Sequence, residues 1–186
     1  MDTFLQHWTP DELLTFERSA LERLNINPKQ INFLTEIGLP RDAAPFLTFE
    51  NELQTLNENY GLDEPEFLTK IVIGSDGAGD PICIELTNQR IYACDHEDDF
   101  EPRFMNSSVT ELFKFISLIA EFNKRPLENE EDDFEFTDEE LFDLTTKMRL
   151  LDPKALEPST FWHDDIEEMK ANREYYRNEK TGDNNR

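Results

Sequence analysis

Pro81-Ile82-Cys83-Ile84-Glu85-Leu86 and Arg90-Ile91-Tyr92-Ala93-Cys94-Asp95, joined by Thr87-Asn88-Gln89, alternate apolar and other side chains with a period of two. Ile82, Ile84 and Leu86 fall on one side of the first run and Ile91 and Ala93 on one side of the second, the signature of paired strands. A short polar connection makes the pair an antiparallel hairpin. A loop of two or four residues around Asn88-Gln89 predicts Leu86 opposite Ile91 and Cys83 opposite Cys94, because one register satisfies both lengths. Facing cysteines invite a cross-strand disulfide, yet strand-pair geometry often suits one poorly and a reducing cytosol opposes it, so two buried reduced thiols are expected.

Upstream of the hairpin, Phe67 to Ile73 reads as a buried strand closed by the turn Gly74-Ser75-Asp76-Gly77-Ala78-Gly79-Asp80. An extended stretch is expected near Phe46 to Phe49. Pro28 through Ile37 has helical spacing at Ile31, Phe33, Leu34 and Ile37, and Gly38 followed by Pro40 ends it. Thr9-Pro10-Asp11-Glu12 is a helix-start signal, and Leu13, Leu14, Phe16, Leu21 and Leu24 predict one helix running on from it.

Downstream, Asp95 to Glu101 packs five acids into seven residues around Phe100 and should be an exposed loop. Asn106-Ser107-Ser108 precedes a long helix in which Ser108 and Glu111 form a capping box. The apolar face of that helix, with Leu112, Phe113, Phe115, Ile116, Ile119 and Ala120, is wide enough to belong in a core against the sheet rather than in a partner groove. Composition shifts after Pro126: Glu128 to Glu140 holds nine acids in thirteen residues with no base, a self-repelling linker or strap. Helical spacing resumes from Thr137 through Leu151, an amphipathic segment spans about Thr160 to Tyr176, and the last few residues read as disordered. Two parts result, an α+β domain over 1–126 and an acidic strap with C-terminal helices over 127–186 packed on it. They carry net charges of −13 and −11, so the smaller is the more acidic per residue.

Composition bounds function. At 186 residues the chain suits one domain with an appendage, and 15 Phe supply apolar area that argues against global disorder. The longest apolar run, Leu112 to Phe122, is interrupted by Lys114, Ser117 and Glu121 and falls short of a bilayer span. The acidic start Met1-Asp2-Thr3-Phe4 is unlike a secretion signal, so a cytoplasmic protein is expected. A net charge of −24 repels nucleic acid and anionic membranes and favours basic partners.

Catalytic and metal readings find little support. His96-Glu97-Asp98-Asp99 and His163-Asp164-Asp165 contain metal-capable groups, but neighbours in sequence rarely converge on one ion without further ligands. Asp76-Gly77-Ala78-Gly79-Asp80 lacks the carboxylate spacing of an EF-hand and the Lys of a phosphate loop, which leaves a glycine-rich turn. His7, His96 and His163 and the two cysteines show no triad pattern. A carboxylate-based metal hydrolase therefore rests on acid abundance alone, and no catalytic residue, metal site or cofactor is expected.

The order of motifs carries a resemblance. Ile37-Gly38-Leu39-Pro40, an aromatic extended segment, Lys70-Ile71-Val72-Ile73-Gly74, a glycine turn into Pro81-Ile82-Cys83-Ile84-Glu85, Arg90-Ile91-Tyr92 to Asp95, and Phe104-Met105-Asn106-Ser107-Ser108 entering a helix resemble the SUKH superfamily of bacterial immunity proteins, most closely its fourth subfamily. The resemblance covers about residues 30 to 125. It implies an α+β fold, an antiparallel β-sheet meander flanked by helices, here with an acidic helical extension at the C-terminus. It also implies a non-enzymatic protein that binds and neutralises a cognate polymorphic toxin, often a nuclease or nucleic-acid deaminase. Charge alone then nominates the partner-binding residues: Asp95, Glu97, Asp98, Asp99 and Glu101, with Glu130, Glu131, Asp132 and Asp133 as a second patch. The partner expected is a protein toxin with a basic surface. A non-enzymatic intracellular scaffold or regulatory module on the same fold is the alternative.

Overall fold

The computed structural model describes residues 2–124 and 136–183. The elements are α1 (Asp2–Leu5), β1 (Leu13–Leu14), α2 (Arg18–Arg23), α3 (Pro28–Glu36), β2 (Leu39–Pro40), β3 (Asp42–Ala43), β4 (Leu47–Thr55) and α4 (Leu56–Tyr60), followed by β5 (Lys70–Ser75), β6 (Pro81–Glu85), β7 (Arg90–Asp95), β8 (Glu101–Asn106), α5 (Val109–Asn123), α6 (Asp138–Leu151) and α7 (Phe161–Asp183). Strands β3 to β8 form a six-stranded antiparallel sheet in sequential order, a meander, and β1 pairs with β2 in a separate two-stranded sheet. The chain is thus an α+β protein whose antiparallel sheet is flanked by helices, with α6 and α7 as its C-terminal helical extension.

The hairpin forms between β6 and β7, but its register differs from the predicted one. Ile84 faces Ile91, Cys83 faces Tyr92 and Glu85 faces Arg90, so the four-residue loop is Leu86 to Gln89. Gln89 closes it in the left-handed region at φ 63°, and its side chain accepts from the Asn27 amide at 2.8 Å while its own amide donates to the Leu86 carbonyl at 2.8 Å. The tertiary bond to Asn27 and the bond within the loop to Leu86 favour one of the loops that the alternation alone treats as equal. The slip is two residues, so every side chain keeps its face. Cys83 and Cys94 lie on the same face but diagonal rather than opposed, and both are free, buried thiols.

The predicted N-terminal helix is also broken. Thr9 donates from its backbone N–H and its hydroxyl to the Glu12 carboxylate at 2.7 and 2.8 Å, yet only a single 3₁₀ turn, Pro10–Glu12, follows. Leu13 and Leu14 instead pair with Pro40 and Leu39, and α2 starts afresh at Arg18 with Glu17 as its cap. Gly38 makes this approach feasible: at φ 85° it lies where a Cβ would sit 2.0 Å from the Leu14 carbonyl oxygen. Phe67, expected inside a strand, lies in a 3₁₀ turn (Pro65–Thr69) that leads into β5.

Both faces of the sheet are covered, which is why β6 is buried at every position. On one face Ile73, Ile82, Ile84, Ile91 and Ala93 pack under α5 and α3 in the main core. On the other, Cys83 and Cys94 pack with Leu56 and Phe67 in a smaller cluster. Helix α5 is central: Phe113 meets Phe33 of α3, Phe115 meets Trp162 of α7 and Phe122 meets Phe136, with ring centroids 5.4, 5.6 and 5.5 Å apart. Leu141, Leu144, Met148, Leu156, Trp162 and Ile166 join the same core, so the C-terminal helices contribute to it directly.

The Asn106-Ser107-Ser108 segment explains how they are held. Ser108 caps α5 by accepting from the amides of Thr110 and Glu111, and its hydroxyl also bonds the Glu111 carboxylate. Ser107 donates to the buried Asp152 carboxylate from its amide at 2.7 Å and its hydroxyl at 3.0 Å. Asn106 accepts from the Trp162 indole N–H at 2.9 Å. The start of one helix therefore doubles as the receptor for the next two.

Candidate functional site

The acidic loop after β7 is a hydrogen-bonded turn. Asp95 pairs with Glu101 across the strand ends, and its carbonyl accepts from the Asp98 and Phe100 amides at 3.2 and 2.8 Å. The Asp95 carboxylate accepts from the Glu97 amide at 2.9 Å, and Asp99 and Phe100 take left-handed conformations at φ 49° and 59°. Phe100 anchors the turn inward, with its ring centroid 4.8 Å from that of Tyr60 and 5.4 Å from that of Phe67. Asp95, Glu97, Asp98, Asp99 and Glu101 are all exposed. The structure thus brings these five sequence-nominated residues together at one sheet end, whereas Glu130, Glu131, Asp132 and Asp133 lie outside the described residues, as do most of the strap and the final residues.

Next to this loop is the 76–80 turn, closed by amides of Ala78 and Asp80 donating to the Asp76 carboxylate, both at 3.0 Å. Asp80 is buried and meets His96, whose amide and Nδ1 lie 3.0 and 2.7 Å from the same carboxylate oxygen. That hydrogen bond holds the His96 imidazole above its ordinary pKa and so favours its charged form. The two turns are locked to one another by this pair.

Sequence reasoning did not foresee a second acidic group. Asp76 and Asp80 share a cavity of about 430 Å³ with Asp164, Asp165 and Glu168 of α7 and with Arg103 of β8. Arg103 lies 3.7 Å from Asp164 and stacks 5.2 Å from the Phe161 ring centroid. Burial, with Glu168 beside it, pushes the Asp165 carboxyl up to about 6, and one of its oxygens is buried without a hydrogen-bond partner. Sequence could not reveal this group because α7 and the 76–80 turn are separated by more than eighty residues of chain. Pro45 and Phe46 form one wall, and on their far side is a larger cavity of about 830 Å³ lined by Trp8, Ala43, Ala44, Leu47 and Ala120 among others.

The chemistry on offer is charge and apolar contact. His7, His96 and His163 each lie against a different carboxylate, Glu121, Asp80 and Asp164, and Cys83 and Cys94 are fully buried. Among the described residues no group of three or more His, Cys, Asp or Glu is arranged to hold a metal ion, and no helix is long and apolar enough to cross a membrane.

Fold and surface define an α+β protein with a six-stranded antiparallel meander, covered on both faces and presenting exposed acidic turns at one end. The chain belongs to the SUKH-4 immunity protein family, whose match spans residues 3–168. The match extends beyond the motifs between 30 and 125 and takes in α6, Asp152 and Trp162, so the Asn106-Ser107 receptor and what it receives lie within the family region. Membership accords with a general role in immunity and toxin neutralisation, and SUKH immunity proteins are generally non-enzymatic. No curated protein and no solved structure showed significant similarity to the chain.

Proposed function

We propose that this protein is a cytoplasmic immunity protein that binds and neutralises a cognate polymorphic toxin acting on nucleic acid, a nuclease or a deaminase, by covering its basic surface. Family membership is the observation that carries the reading. The net charge of −24 and the exposed turn Asp95 to Glu101 support the charge of the partner. A toxin that works on nucleic acid presents a basic cleft, and an acidic protein approaches such a cleft quickly through long-range steering. Binding needs neither a cofactor nor a membrane. Glu130, Glu131, Asp132 and Asp133 are proposed as a second acidic patch on charge alone.

Co-expression with the toxin encoded by a neighbouring gene, followed by pull-down and growth rescue, tests the role; no complex and no rescue with any adjacent toxin would overturn it. The acidic surface is tested separately by Asp98→Lys with Asp99→Lys. Both positions are exposed, so folding should persist while association slows and its salt dependence flattens. Wild-type affinity in that double variant would confine the charge to solubility.

A further inference from the structure

We infer that the Pro45–Phe46 ridge is the contact centre of the toxin interface, seating an arginine of the toxin in the acidic cavity on one side and an apolar neighbour of that arginine in the larger cavity on the other. This rests on the toxin-binding reading above. Phe46 is 84% exposed and adopts φ 64°, a left-handed conformation that a bulky L residue reaches only against steric resistance. Folding gains little from an aromatic ring held in water in a strained conformation, and such outliers concentrate at binding sites. Gly77 accommodates it: a Cβ there would lie 2.8 Å from the Phe46 Cβ, so the turn is cut back where the ridge passes.

The two cavities share Pro45 and Phe46 and differ in chemistry, one apolar around Trp8, Ala43 and Leu47, the other acidic. Five carboxylates and one guanidinium line the acidic cavity. His96 is hydrogen-bonded to Asp80 and Arg103 is ion-paired with Asp164, which leaves Asp76, Asp165 and Glu168 as the acids of the cavity with no cation beside them among the described residues. One Asp165 oxygen is buried beside this cavity without a hydrogen-bond partner among the described residues. A guanidinium suits this cavity better than an ammonium, because it can bond carboxylates through two N–H groups while stacking on the Phe46 ring. Through the Asp80–His96 bond the cavity rim continues into the Asp95 to Asp99 turn, so one partner can engage both.

The test measures affinity by calorimetry for the toxin domain encoded beside this protein, using the full chain and Phe46→Ala, Glu168→Lys and Asp98→Lys/Asp99→Lys. A contact centre predicts a loss of about 30-fold or more for Phe46→Ala. Thermal unfolding should be unchanged in that variant, and Glu168→Lys, on the exposed face of α7, should also weaken binding. A double-mutant cycle pairing Phe46→Ala with each toxin arginine replaced by alanine should find one arginine that couples. If Phe46→Ala and Glu168→Lys bind like wild type while Asp98→Lys/Asp99→Lys binds weakly, the ridge is not the centre and the toxin-binding reading stands. Coupling to no arginine overturns the assigned occupant. If wild type binds no adjacent toxin, both readings fall.

Discussion

Asp165 shows how much one residue's setting adds to its identity. In the sequence it is one of 42 acids, but in the fold burial and the neighbouring Glu168 hold its carboxyl at about 6. Asp164 on the same helix, Asp76 and Asp80 on the facing turn and Arg103 on β8 complete its surroundings. Because the folded pKa is above the ordinary 3.8, the folded chain takes up a proton that the unfolded chain does not between those values. The stabilising contribution is thus present below about pH 4 and lost as pH rises through 6. Asp165→Asn removes the ionisation, so its stability relative to wild type should climb by on the order of 2 kcal/mol between pH 4 and pH 7. Urea unfolding at both pH values checks this, and a difference independent of pH would contradict it. Gln30 is equally opaque in sequence, a polar residue inside an amphipathic helix. It is 2% exposed because its carbonyl accepts from the Val109 amide at 2.9 Å and its amide donates to the Gln89 carbonyl at 3.1 Å, tying α3 to both α5 and the hairpin loop.

At the scale of elements, local signals were most legible where the side chains that carry them also act locally. Ser108 caps α5 and Thr137 with Glu140 forms the capping box of α6, as their spacing predicts, while Asn27, not singled out from the sequence, accepts from the Gln30 amide to cap α3. Thr9 and Glu12 make the same local bonds, yet the helix they announce stops after one turn, since Leu13 and Leu14 find strand partners in Leu39 and Pro40. Tertiary pairing outweighs propensity there. The hairpin register failed for a related reason, with Gln89 held by Asn27 across 62 positions. Asp152, at the end of α6, is the element contact whose loss should matter most. Asp152→Ala strips three hydrogen bonds from Asn106 and Ser107 in a buried setting. A loss of about 3 kcal/mol in chemical denaturation is expected, with faster hydrogen exchange at the Ser107 amide.

For the whole molecule, the core belongs to both ends of the chain. Phe115 and Phe122 of α5 are covered by Trp162 and Phe136, so a chain ending at residue 126 would leave a broad apolar face in water. Such a truncation should lose near-ultraviolet circular dichroism and bind a hydrophobic dye; a well-dispersed amide spectrum from it would show instead that residues 1–126 fold alone. Legible in the sequence by itself were helices α3, α5, α6 and α7, strands β5 to β7, the two faces of the hairpin, the core face of α5 and the exposure of the Asp95 to Glu101 turn, because alternation, helical spacing and charge act over a few neighbouring residues; α1, α4 and β8 were not foreseen. Only the tertiary structure decided the strand register, the break between Glu12 and Arg18, the docking of α6 and α7 on Asn106 and Ser107, and the meeting of Asp76 and Asp80 with Asp165 and Glu168 on one side of the ridge at Phe46. Each of those depends on contacts between segments tens of residues apart, whose energies no local pattern encodes.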